Sequence, residues 1–402
     1  MGRRSPGSLR SLRERNRLQV LEVVRGSGSV SRADIARRTG LARSTVSTLV
    51  NELLRAGLLV ERGAPEDGNT TQGRPPVLLS FDPGAGAVIG MHFDHPVLRV
   101  AVADLGYTIL AEATVPVDVD HDAQDSLDAA VALIDEVLVK SGVERERLLG
   151  AGAALAGPID SATGTVGSSA ILPGWVGLSL AQELEARLGL PVHVDNDANV
   201  GALAESVLGA GRGVSEMAYI MLGSGIGAGL IIGGQVYRGS GGTAGEIGHV
   251  LVDEHGPLCR CGNRGCLETY AGADALLDLL RRQHGDALTV DGLVQLARDG
   301  DAACQRVIAD AARFVGVAAA TLCNQLNPEL IVIGGELAQT GPLLLDPLRE
   351  SIVRYAIPAA AEDVRVVTGE LGERAELLGA LVLVLGRSDR ALTSRVAAAS
   401  GG

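Results

Sequence analysis

The chain has 402 residues, 46% of them hydrophobic and 21% charged, a globular composition too long for one ordinary core, so two or three domains are expected. No apolar run approaches the ~18 residues that a membrane span requires, and no apolar signal core follows the basic start MGRRSPGSLR, which points to a soluble, cytoplasmic protein with no membrane partner. The net charge of −13 is unevenly spread: residues 1–75 carry 14 arginines against 7 acidic residues, a balance of +7 that leaves −20 for the remainder. A basic head on an acidic body points to a polyanion-binding module joined to one that binds something else.

In chain order, residues 9–24 suit a helix with Leu18, Leu21 and Val24 on one face, and Gly26, Ser27 and Gly28 then break the pattern. Ser31 followed by Asp34 fits a capping box, and the short helix it opens ends at Thr39-Gly40, where glycine can turn left-handed. A second helix follows at once, with an apolar stripe of Val46, Leu49, Val50, Leu53 and Leu54. Its other face presents Arg43, Ser44, Ser47, Thr48 and Asn51, and Gly57 closes it. Two short helices around a tight turn, the second with a small basic face, outline a helix-turn-helix. Residues 58–60 and 77–79 read as strands of a wing, and between them Gly73-Arg74-Pro75 could place Arg74 in a minor groove. Ala42 breaks a local rule, since Ser or Thr there would cap the recognition helix and add about 1 kcal/mol. The competing reading is a small protein–protein module with a solvated arginine face. The charge balance and the wing favour DNA.

From about Phe81 strands and helices alternate among many glycines, an α/β pattern in which ligands bind at strand ends. Strands are expected at 97–104, 109–119, 149–154, 192–194, 218–222, 229–232 and 330–333. Helices are expected at 126–140, 178–188, 198–208, 273–282, 302–326 and 375–384. The run Leu222-Gly-Ser-Gly-Ile-Gly-Ala-Gly-Leu230 joins two strands by a turn able to cradle a phosphate, and Ile331-Val-Ile-Gly-Gly335 ends a strand similarly. Singly, each is weak, because glycine-rich hairpins are frequent without ligands.

Three of the five cysteines crowd between Cys259 and Cys266, a spacing that suits a metal in a reducing compartment better than disulfides. His249, Cys259, Cys261 and Cys266 offer one imidazole and three thiolates, a closed tetrahedral set for Zn²⁺. A closed set has no place for a reactive water, so its role is structural. The alternative is a loop of unliganded cysteines.

Residues 222–249 resemble the signature of the ROK family, which holds repressors, uncharacterised reading frames and sugar kinases. The likeness is carried by Gly242-Thr-Ala-Gly-Glu-Ile-Gly-His249 and the cysteine knuckle, and the head from Gly40 to Pro75 looks like the winged helix of the repressor branch, including Thr45-Val46-Ser47. The resemblance implies an N-terminal winged helix-turn-helix over residues 1–82 and, over 83–402, the two-lobed actin-like, ribonuclease-H-like ATPase fold of ROK sugar kinases. The small lobe would span about 83–195 plus a C-terminal helix at about 373–390, and the large lobe, with the zinc knuckle, about 196–372. It implies a sugar site of Gly157, Asn196, Asp197, Glu246, His249 and Glu268, with Asp197 matching the general base of kinase members and Pro173-Gly174-Trp175 close by. His249 would serve both zinc and sugar. DNA contacts are expected from Arg43, Ser44, Thr45, Ser47, Thr48 and Arg74.

One motif departs. Where kinase members carry Asp-x-Gly-Gly-Thr, counting back from Asp104 gives His92-Phe-Asp-His-Pro96. Side chains obstruct the backbone approach to phosphate and Asp94 repels it, so ATP binding is not expected. A degraded turn exposed at a strand end is favoured over a second metal at His92, Asp94 and His95. The combined reading is a sugar-responsive transcriptional regulator, a repressor of carbohydrate genes, binding double-stranded DNA as a homodimer or homotetramer, with no catalytic residue assigned. The alternatives are an active glucokinase-like enzyme that also binds DNA, and a regulator driven by a partner protein with a vestigial pocket.

Overall fold

The computed structural model describes residues 9–62, 77–160, 163–167 and 171–399. Arg74 and the tip of the wing lie outside them.

The head consists of α1 (Leu9–Ser27), β1 (Val30–Ser31), α2 (Arg32–Thr39), α3 (Arg43–Arg55), β2 (Leu59–Arg62) and β3 (Leu78–Phe81). The two wing strands pair antiparallel, and β1, which the sequence did not announce, adds to the other edge of β3. Ser31 caps α2 by accepting the Asp34 N–H at 3.2 Å, while its hydroxyl donates to the Asp34 carboxylate at 2.7 Å. Gly40 ends α2 at φ 69°, a conformation that costs glycine nothing. Ala42 leaves α3 without a side-chain cap, as its sequence predicts. Glu52 on α3 is buried, and Arg17 of α1 donates to it at 2.6 and 2.9 Å with Arg13 also in contact. Part of the head's positive charge is therefore spent inside the fold.

The first body sheet has the order β6-β5-β4-β7-β8, built from β4 (Ala87–Phe93), β5 (Val97–Asp104), β6 (Ile109–Pro116), β7 (Leu148–Leu155) and β8 (Val192–Asn196). It carries α4 (Ala123–Ser141) and α5 (Leu180–Leu188). Then α6 (Asp197–Leu208) leads to a second sheet, ordered β11-β10-β9-β12-β13. Its strands are β9 (Met217–Leu222), β10 (Ile226–Ile232), β11 (Gln235–Val236), β12 (Leu330–Gly334) and β13 (Arg365–Thr368). Around it lie α7 (Glu268–Ala271), α8 (Ala273–His284), α9 (Val290–Arg298), α10 (Ala302–Leu326), α11 (Pro342–Tyr355) and α12 (Pro358–Asp363). The sequence reading placed nothing at α9, α11, α12 or β13. Prolines obscure two of these, although Pro342 and Pro358 stand at first-turn positions, where a missing N–H costs little.

Among the described residues one helix, α10, with 25 residues, is long and apolar enough to cross a membrane by length and composition, although charged residues interrupt its apolar run. It serves as a core helix, with Ile308, Ala312, Val315, Ala319 and Cys323 buried against the second sheet and α11. The last helix, α13 (Ala375–Ala399), is longer than its expected end at residue 384. It crosses β4, β7 and α6 and reaches α1. Gly152 on β7 permits this approach, because a Cβ there would strike the Ala380 carbonyl. Leu381, Val384, Leu385 and Leu392 of α13 share one buried cluster with Val20, Leu21 and Val24 of α1 and with Leu53 and Leu59. The head is thus not a bead on a linker; its core runs into the first lobe.

Candidate functional site

Between the two sheets opens a cleft of ≈ 650 Å³. All six residues expected to hold a sugar, Gly157, Asn196, Asp197, Glu246, His249 and Glu268, line it. The chain passes from β8 to α6 at this point, a strand end where α/β folds place ligands. Asn196 caps α6, accepting the Asn199 N–H at 3.2 Å, and its amide donates to the Gly157 carbonyl at 3.1 Å, tying two cleft walls together. Asp195 is held by Arg238 and Asn199, which fixes the strand end; the Arg238 Nε–Asp195 distance is 2.7 Å.

Asp197 is buried and accepts the Ala198 N–H at 2.7 Å. Burial pushes its carboxyl up to about 7, against that hydrogen bond and helped by Asp94 and Glu246. A carboxyl near 7 can exchange a proton with a hydroxyl at neutral pH or accept its hydrogen bond. Burial also raises Glu246, with Glu268 adding to the effect and His249 opposing it. Glu268 accepts the Ile226 N–H at 3.2 Å and the Arg260 guanidinium at 2.8 Å. Arg260 sits inside the cysteine knuckle, so the knuckle orients a wall of the cleft directly.

The four expected metal ligands converge: the donor atoms of His249, Cys259, Cys261 and Cys266 lie within 4.8 Å of one another and could hold a metal ion. The Cys261 and Cys266 sulfurs are 3.6 Å apart, and so are the Cys259 sulfur and the His249 Nδ1. Tetrahedral zinc with Zn–S near 2.3 Å sets two sulfurs about 3.8 Å apart, so the donor set fits that ion. A metal ion held through Nδ1 would leave Nε2 of His249 free, on a residue that lines the cleft.

One expectation changes in part. The turn after His92 is exposed at His95 and Pro96, but His92 itself is only 5% exposed, lines the cleft, and its Nδ1 has no hydrogen-bond partner. Asp94 pairs with Arg99 at 2.8 Å and His95 with Asp120 at 3.0 Å, so the three side chains do not gather around an ion. Pro173-Gly174-Trp175, expected close by, follows directly on cleft-lining residues without lining the cleft itself. Trp175 is fully buried, donates to the Val119 carbonyl at 2.6 Å and meets Phe93 edge-on; the preceding Ile171 and Leu172 face the cavity. Residues that the sequence reading missed include Glu336 and Glu376, both on the cleft, with Glu376 accepting from the buried Tyr219 at 2.9 Å. The side chains of Glu376 and its partner come together from 157 residues apart. No local pattern marks such a pair.

On the head, Arg43, Ser44, Ser47 and Thr48 are exposed along α3 and Thr45 is half-buried. Thr48 donates back to the Ser44 carbonyl at 3.0 Å, while Asn51 lies 3.4 Å from Arg32.

The ROK family is matched over residues 90–387, and the MarR family over residues 14–68. The chain belongs to the ROK family. Its ROK body follows a MarR-type winged helix. It is 31% identical to the xylose repressor of Caldicellulosiruptor bescii over 387 residues, 93% of this chain and 96% of that one. It is 30% identical to the DNA-binding transcriptional repressor Mlc of Escherichia coli, over 94% of this chain and 95% of that one. A crystal structure of a ROK family transcriptional regulator, a homolog of E. coli Mlc, superposes with a TM-score of 0.81 at 28% identity, covering 96% of this chain and 99% of that one. Kinases of the family match the body: a ROK glucokinase from Streptomyces griseus, solved with glucose and AMPPNP, gives a TM-score of 0.65 at 32% identity, over 74% of this chain and 98% of that one. Both repressors and glucokinases are therefore relatives of this ROK protein.

Proposed function

We propose that the protein is a sugar-responsive, DNA-binding repressor of carbohydrate-metabolism genes, acting in the cytoplasm as a homodimer or homotetramer with one structural zinc per chain. The head, residues 1–82, binds double-stranded operator DNA through Arg43, Ser44, Thr45, Ser47, Thr48 and Arg74. The body, residues 83–402, binds sugar through Gly157, Asn196, Asp197, Glu246, His249 and Glu268 between a small lobe and a large one. Zinc held by His249, Cys259, Cys261 and Cys266 supplies rigidity, and Arg260 carries that rigidity to Glu268.

The observation that carries this reading is the shared buried cluster of α1 and α13, since α13 also presents Glu376 to the cleft. A ligand with different affinities for the open and closed cleft then biases the position of the head. The xylose repressors among the relatives make xylose the first sugar to test. Operator affinity is measured with and without each monosaccharide, and a change for one of them supports the reading. If none changes it while a cellular protein does, the cleft is vestigial and a partner protein drives the switch.

A second reading, an active sugar kinase, is favoured by Asp197, a buried carboxyl raised to about 7. ATP consumption in the presence of hexoses and pentoses decides between them. Turnover that disappears in Asp197→Asn makes the protein an enzyme, whereas its absence keeps the cleft a receptor.

A further inference from the structure

The cleft is rich in acids. Among the described residues ten carboxyl side chains line it, seven of them beyond the sugar-site residues, against two arginines. Arg99 is paired with Asp94 and Arg260 with Glu268, each at 2.8 Å, so neither guanidinium is left for an anionic ligand. The glycine turn that could cradle a phosphate is covered as well: the Glu336 carboxylate lies so close to Gly223 that a Cβ there would collide with it. A phosphate placed on that turn would meet a carboxylate instead of open backbone N–H groups.

The acids gather at one place. Asp94 raises the carboxyls of Asp197, Glu336 and Glu376, after burial, which is the larger cause in all three. Their neighbour is His92, 5% exposed, whose unpartnered Nδ1 belongs to a residue lining the same cavity. Burial lowers this imidazole to about 4, so it is neutral and keeps one nitrogen as an acceptor. A buried polar atom without a partner is costly, and a ligand donor facing Nδ1 in its acceptor tautomer would remove that cost. Carboxylates and an acceptor nitrogen around one space suit a group with several N–H donors and a positive charge.

We propose that this part of the cleft, at His92 and Glu336 beside the Asp94–Arg99 pair, takes an ammonium group, so that the effector is an amino-bearing sugar rather than a neutral or phosphorylated one. The proposal rests on the sugar reading of the cleft and adds the charge of the ligand to it.

The test is calorimetric titration of the full chain with glucose, galactose and mannose, with the 2-amino and 6-amino derivatives of each, and with each 6-phosphate. At least one amino sugar should bind about tenfold or more tighter than its neutral parent, a gap of 1.4 kcal/mol, and the phosphates should bind more weakly than either. In Glu336→Gln the amino preference should fall below about threefold while the neutral parent keeps its affinity. The comparison among ligands on the unaltered chain needs no variant, so a misfolded variant leaves the test intact. Equal affinity for amino and neutral sugars, or tighter binding of a phosphate, overturns the charge assignment alone. Binding of no sugar at all overturns the sugar reading, and this proposal with it.

Discussion

The phenol of Tyr219 donates to the carboxyl of Glu376 at 2.9 Å, joining a strand of the second sheet to the first turn of the helix that packs on the head. Both side chains are buried, so this bond sits where the two lobes and the route to the DNA-binding module meet.

That burial has a pH signature. Glu376 is pushed up to about 8 and Asp197 to about 7 by desolvation. In the unfolded chain both carboxyls release their protons near their ordinary values of 4.5 and 3.8. Between those limits the folded state holds more protons, so unfolding free energy falls as pH rises, by at most about 1.4 kcal/mol per pH unit for each group. Denaturant unfolding at pH 5, 6, 7 and 8 should show a loss of stability that is smaller in Glu376→Gln. An identical slope in wild type and variant would count against a protonated Glu376.

Arg17→Ala should destabilise the head. It removes the buried partner of Glu52 and leaves that carboxylate to Arg13. Stripping one partner from a buried ion pair costs about 3–5 kcal/mol, and the remaining Arg13 puts the expected loss at the lower end. Chemical denaturation should register the loss, operator affinity should drop, and ligand binding in the cleft should persist.

Arg43→Ala and Arg74→Ala should each weaken operator binding. An arginine on a phosphate also contributes about one unit to the dependence of log K on log salt. Anisotropy titrations at several salt concentrations read both quantities. Unchanged affinity in both variants would remove these contacts.

For the knuckle, metal analysis of the purified protein should give one zinc per chain, and Cys261→Ser should reduce it. Thermal stability should fall with it, because binding energy at a closed site is folding energy. Chelator treatment should loosen the cleft as well, since Arg260 ties the knuckle to Glu268. Zinc-free protein with unaltered melting would refute a structural ion.

Much was legible because it is written locally. Ser31 and Asp34 predict their own cap, Val46 to Leu54 their buried stripe, and the spacing of Cys259, Cys261 and Cys266 a donor set that does converge. Asn196, Asp197, Glu246 and Glu268 come as short strings whose family likeness points to one cleft, and the structure brings them to one. The substitution at His92 was legible too, but its consequence was not. A strand pattern says which residues alternate, not what lies over the strand end, so a buried imidazole was read as part of an exposed turn.

What the sequence determined by itself is therefore the set of parts: a winged helix and a histidine–cysteine knuckle, specified by periodicity or spacing over a few turns of chain, and two α/β lobes with a row of candidate sugar-site residues, implied by family resemblance. Tertiary structure alone decided how the parts communicate and what charge the cleft presents. Glu336 over Gly223, Glu376 beneath Tyr219, and α13 sharing a core with α1 all join residues more than a hundred positions apart. Such contacts are fixed by how whole layers pack, and no window of sequence contains both partners.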